Sequence, residues 1–208
     1  LITALLEERY GAGLTFELSR YVYLPQALKE KRVSFLVPAS LLSSSHLGQL
    51  LGELGDDEEL AFHSNVRLPN GEIMHIPMLD FSGKHIINDW DVIESTLTES
   101  IRFRSVLDTF RLFDSGRSFH GYSLHLLSAQ EWVLYMGALL LMNLPTGRKV
   151  VDSRWVGHRL LSGYSSLRWS CNTPHYKKMP HLINHRNLVN RRLASAEEFL
   201  LTAKVKSS

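Results

Sequence analysis

Three short stretches of the chain hold residue types that could act together on a phosphate-bearing ligand. The first is Met78-Leu79-Asp80-Phe81-Ser82, with an acid closing an apolar run. The second is Asp114-Ser115-Gly116-Arg117-Ser118-Phe119-His120-Gly121-Tyr122, where period-two alternation puts Ser118 and His120 on one side of a strand. The third is Val150-Val151-Asp152-Ser153-Arg154, again an acid at the end of an apolar run. Carboxylates on adjacent strands can share Mg²⁺, a hard cation that prefers oxygen and keeps water and substrate phosphates in its shell. A hydroxyl, an imidazole and a guanidinium beside them suit a triphosphate. Each stretch alone is weak evidence. An Asp ending a strand is usually a turn or cap residue, Ser-x-His is common by chance, and Asp114 and Arg117 could simply pair across a hairpin.

The elements that must position these residues follow from pattern. Leu1 to Leu28 reads as two helical pieces broken by Gly11-Ala12-Gly13, and Val33 to Val37 as a short strand ended by Pro38. Leucines at 47, 50, 51 and 54 after a serine cluster predict a capped helix over Ser43–Leu54. Asp56 to Glu59 reads as a surface loop or helix end. Pro69-Asn70-Gly71 supplies the turn of a hairpin that continues through Glu72 to Phe81. A helix over Val92–Phe110, strands over Thr109–Asp114 and Ser118–Leu126, and a helix over Ser128–Asn143 follow. Ser128 and Glu131 of the last have capping-box spacing. With a strand at Lys149–Asp152, the order is β-α-β-β-α-β, that of a ferredoxin-like or RRM-like split βαβ unit. The expected fold is thus α+β, an N-terminal α/β module packed on this unit, with a mainly antiparallel sheet and flanking helices.

Composition bounds the function classes. At 208 residues, 44% hydrophobic and 21% charged, the chain suits one well-cored domain. The single cysteine, Cys171, excludes an internal disulfide and a zinc knuckle. No signal-peptide pattern stands at the front, and the apolar run Trp132–Leu144 is too short for a membrane span, so a cytoplasmic setting without membrane contact is expected. There is no Walker-type loop, HExxH, nucleophile elbow or dinucleotide fingerprint. The net charge of +2 conceals an asymmetry: residues 148–192 hold ten Lys or Arg against one acid, Asp152. Trp155, Tyr164, Trp169 and Tyr176 lie among them, a combination that suits a polyanion with bases to stack, or equally a solvated basic face. His175, His181 and His185 sit among these cations and read as phosphate- or solvent-facing rather than metal-binding; Trp132 reads as core.

Together, hydrophobic-Asp, then Ser-x-His, then hydrophobic-Asp resembles motifs I, II and III of the archaeo-eukaryotic primase, or primase-polymerase, superfamily, over roughly Glu72 to Pro180. Ser115 to Tyr122 carries the likeness best, and Leu167-Arg168-Trp169-Ser170 with Lys177-Lys178-Met179-Pro180 is similar to the basic strand region after motif III. The resemblance implies one catalytic-type domain over 1–208, with an N-terminal module at 1–71, a motif-bearing module at 72–192 and a tail at 193–208. It implies Asp80 and Asp152 as catalytic ligands of Mg²⁺ or Mn²⁺, and Ser118 and His120 as triphosphate contacts, with Arg117 beside them. Arg154, Arg168, Lys177 and Lys178 would bind nucleic acid. The implied function is a nucleotidyltransferase that takes NTP or dNTP on a single-stranded DNA or RNA template, within a larger set of domains or subunits. One departure stands out: the second acid of motif I is Ser82 here. Asp89, Asp91 or Asp114 could substitute, or the domain is a non-enzymatic nucleotide- and nucleic-acid-binding module; an unrelated interaction domain of ferredoxin-like topology is the third reading.

Overall fold

The architecture comes from a computed structural model, which describes residues 1–24, 31–85, 90–99, 103–145, 147 and 149–183. Leu6, Leu14, Phe16 and Leu18 are fully buried and organise the N-terminal part. Helix α1 (Ile2–Tyr10) ends at Gly11, and strand β1 (Thr15–Val22) follows. The second helical piece expected before Leu28 is therefore a strand over Thr15–Val22, and residues 25–28 of it lie outside the described residues. Thr15, Phe16, Tyr21 and Val22 have β-favouring side chains, and Phe16 and Leu18 point into the core together.

The first sheet has the antiparallel order β2 (Lys31–Pro38), β1, β3 (Glu58–Arg67), β4 (Ile73–His75). Beyond β4 on the same edge of β3, β8 (Ser166–Arg168) pairs with Ala61 to His63. Helix α2 (Ser44–Gly52) is capped by Ser43, whose hydroxyl accepts from the His46 amide at 3.2 Å. Glu59, expected at the surface, is fully buried in β3. Its carboxylate accepts from the Thr173 amide and hydroxyl at 2.7 Å each and from Ser170 Oγ, which tethers the chain after β8.

The second sheet runs β5 (Met78–Asp80), β7 (Phe119–Tyr122), β6 (Arg111–Asp114), β9 (His181–Leu182), again antiparallel. A single bridge, Phe81 to Val151, adds Val151 beside β5, so the order Val151, β5, β7, β6 is that of a split βαβ unit. The expected strand at Lys149–Asp152 is reduced to that bridge because Asp152 starts helix α6 (Ser153–Ser162). The predicted helix 92–110 is two, α3 (Trp90–Glu99) and α4 (Arg104–Asp108). Helix α5 (Ala129–Leu141) carries the expected capping box of Ser128 and Glu131.

Alternation gives the second sheet two unlike faces. Leu79, Phe81, Leu112 and Phe119 face a core with α3 to α6 that contains Trp132, Tyr135 and Val156. Met78, Tyr122 and Phe113 face the other way and join the first sheet's core, where Phe62 stacks on Trp169 at 4.1 Å. Gly121 allows the sheet to close on its helical side: a Cβ there would lie 2.0 Å from the Phe110 ring. The boundary expected near residue 71 does not divide the sheets, since β4 and β8 belong to the first. Among the described residues no helix is long and apolar enough to cross a membrane.

Candidate active site

The face of the second sheet that carries Met78 and Tyr122 also carries two polar side chains. Asp80 is the last residue of β5 and stands opposite His120 of β7, which in turn stands opposite Phe113 of β6. Cross-strand neighbours share a face, so the acid and the imidazole are side by side by register. Past the end of β5, the Asp152 amide donates to the Asp80 carbonyl at 3.0 Å. Asp152 is then the N-cap of α6, with Oδ1 accepting from the Arg154 and Trp155 amides at 2.9 and 3.1 Å. Ser118 closes the turn between β6 and β7. Its carbonyl accepts from the Ser115 amide at 3.0 Å, and Gly116, at φ 107°, donates to Asp114 Oδ1 at 2.8 Å.

Asp80, Asp152, Ser118, His120 and Arg117 all line one cavity of about 280 Å³ where the two sheets and α6 meet. Arg154, Arg168 and Lys177 line it as well, and so do Arg32 and Arg159, which gives six cations to two carboxylates. Burial, then the neighbouring charge of Asp152, pushes the Asp80 carboxyl up to about 8, against the opposing pull of Arg168 and Arg159. Burial, and the charge of Arg168 second, holds the His120 imidazole down to about 3, so it is neutral at pH 7. Only 6% exposed, His120 has no hydrogen-bond partner at Nδ1.

Not every expected contact faces this space. Lys178 turns away and pairs with Asp114 at 2.9 Å, as Lys84 does at 3.1 Å. Asp114 is thus neither paired with Arg117 nor available as the missing acid; Asp89 and the Asp91 side chain lie outside the described residues. Arg168 is buried, with Nη2 donating to the Ser115 carbonyl at 2.8 Å and its guanidinium 4.0 Å over the Tyr176 ring. It braces the cavity wall more than it offers a surface contact. Ser82 gives its hydroxyl to the Lys149 carbonyl. Of the four aromatics in the basic stretch, Trp155 and Tyr176 line the cavity, while Trp169 stacks on Phe62 and Tyr164 on His63. Arg148, Arg186, Arg191, Arg192 and His185 lie outside the described residues, and His181 is exposed on β9. Sequence reasoning missed Tyr21 and Arg32, which β1 and β2 bring to the cavity. The signal was the alternation of Thr15 to Val22, which a helical reading of that segment hides.

The chemistry of the donor set fits one hard divalent cation. Two carboxylates destabilise each other in the cavity, and a bound ion would relieve this; phosphate and water would complete its shell. Among the described residues no group of three or more His, Cys, Asp or Glu side chains is gathered to hold a metal.

A sequence profile described as AEP-like, archaeo-eukaryotic primase 1D-like, matches residues 38–181. No curated protein matches the chain. Among solved structures, primase RepB' is similar in fold, with a TM-score of 0.50 and 9% identity over 98% of this chain and 66% of that one. The chain thus spans 66% of that structure's length, and at such identity the likeness is one of fold alone.

Proposed function

Because the chain belongs to the AEP-like family, archaeo-eukaryotic primase 1D-like, we propose that it binds a nucleoside triphosphate with Mg²⁺ or Mn²⁺ and joins the nucleotide to a strand on a single-stranded template. What supports this reading is a single observation: Asp80, Asp152, Ser118, His120 and Arg117, scattered over 73 positions, line one cation-rich cavity. In the proposed reaction a 3′-hydroxyl oxygen attacks the α-phosphorus, the bond to the β-phosphate oxygen breaks, and pyrophosphate leaves. Asp80 and Asp152 would hold the divalent cation, which when bound draws charge off the phosphates and acidifies the attacking hydroxyl. Ser118, neutral His120 and Arg117 would orient the triphosphate, and Arg154 and Lys177, both exposed, would meet the template backbone. A cytoplasmic setting and further domains or subunits belong to the same proposal.

A second reading, a nucleotide- and nucleic-acid-binding module that does not polymerise, is favoured by Ser82. Where the family's first motif has a second acid, this position has a hydroxyl donated to a backbone carbonyl. Extension of a labelled primer and synthesis on a bare template, each with Mg²⁺ and with Mn²⁺, separate the two. Synthesis by the wild type that is lost in Asp80→Ala and Asp152→Asn supports the enzyme; synthesis that survives both overturns the assignment. No synthesis by the wild type or by Ser82→Asp, with nucleotide binding intact, selects the binding module.

A further inference from the structure

The cavity is lined by rings as well as by charge. Tyr23 and Leu24, just after β1, line it together with His175 and Tyr176 from the chain after β8. The Tyr23 and His175 rings lie 4.3 Å apart and 30° from parallel. Tyr176 meets both edge on, at 6.0 Å from Tyr23 and 4.7 Å from His175. The cluster is braced from behind, since Tyr176 lies under the Arg168 guanidinium and its hydroxyl is 3.4 Å from that of Tyr21. Its front is open: Tyr23 is 38% and Leu24 48% exposed. Arg117 joins the cations to these rings, its Nη2 donating to the His175 carbonyl at 3.0 Å. An open aromatic face that adjoins a cationic cavity suits a ligand that is anionic at one end and planar at the other.

We propose that Tyr23 and His175 form a stacking shelf for a nucleobase, so that the cavity recognises a nucleotide and not phosphate alone. This rests on the reading above that the cavity binds a triphosphate. The base is assigned to the bound nucleotide because Arg117, which precedes Ser118 on the same cavity wall, is tied to the shelf residue itself. Stacking uses the π face that every base has, so the shelf holds all four bases.

Calorimetric titration of the full chain with Mn²⁺ present tests this, using a nucleoside triphosphate and inorganic tripolyphosphate as paired ligands. The nucleotide binds more tightly, and Tyr23→Ala weakens it about tenfold, in line with the loss of one base–aromatic stack. Tripolyphosphate affinity is unchanged by Tyr23→Ala, and Tyr23→Phe restores the nucleotide; thermal melts verify that both variants are folded. Equal losses for both ligands, or none for the nucleotide, overturn the shelf. A wild type that binds both ligands equally overturns it too and leaves the phosphate reading standing, whereas a wild type that binds neither overturns both. A short single strand and the same strand with abasic sugars form the second arm. A Tyr23→Ala loss confined to the base-bearing strand overturns the assignment to the nucleotide and gives the shelf to a strand base.

Discussion

Replacing Asp152 with Asn and with Ala separates two tasks that one carboxylate holds. Oδ1 caps α6 by accepting from the Arg154 and Trp155 amides, and the charge of the same group bears on Asp80. Asn keeps an acceptor and is as good a cap as Asp, so it preserves both bonds. Its loss of charge removes an attraction to the positive end of α6, about 0.5 kcal/mol, but relieves the repulsion with Asp80. Ala removes the acceptor and costs about 1 kcal/mol. For a chain of this size that lowers the melting temperature by roughly 3 °C. Thermal melts in chelator should therefore place Asn within about 1 °C of the wild type and Ala below it, while both variants lose metal-dependent nucleotide binding and primer extension. Equal destabilisation by Asn and Ala would refute the capping argument. Full activity of Asp152→Asn would refute the metal argument, since a neutral amide cannot replace a carboxylate in the charge balance.

Gly121→Ala should cost about 3 kcal/mol, because its Cβ overlaps the Phe110 ring, and Phe110→Leu in the same chain should recover part of the loss in urea melts. Lys177→Glu should weaken single-strand binding and reduce the slope of log affinity against log salt by about one, while Lys178→Met, which removes only the pair with Asp114, should leave that slope unchanged. His63, 3.3 Å away, and Asn65, donating at 2.8 Å, hold the Glu17 carboxyl down to about 2 against the pull of burial. A depressed carboxyl stabilises the fold fully above its ordinary value of 4.5 and less as pH falls toward 2. Glu17→Gln should accordingly flatten the fall in stability across that window, and an unchanged acid limb in denaturant titrations would exclude the pair as its source.

The motif-bearing half was legible because its signals are local. The alternation of Ser118 and His120, the Ser128 and Glu131 box and the apolar runs before Asp80 and Asp152 each act within a few residues. Reading Asp152 as a strand end was half right, since Val151 makes one bridge before Asp152 turns the chain into α6. The first half was less legible for the opposite reason. Thr15 to Val22 is strand because β2 and β3 flank it, and Glu59 is buried because Thr173, more than a hundred residues later, completes its hydrogen bonds. Lys177 and Lys178 look equivalent in a list of charges. Only the location of Asp114 decides that one lines the cavity and the other closes an ion pair.

The bond from the Asp152 amide to the Asp80 carbonyl joins the two acids through atoms that every residue but proline possesses. The backbones of the pair are thereby held together by a bond that no side chain takes part in. If the cavity holds the proposed ligand, substitutions at Arg32, Tyr23 or Lys177 on its wall should change which ligand is welcomed and leave this bond in place. For an engineer this divides the site into a part to leave alone and a part to vary. Libraries built on the wall residues would vary ligand preference around the joined acids, and a proline at position 152 is the one replacement there that would remove charge, cap and hinge pin together.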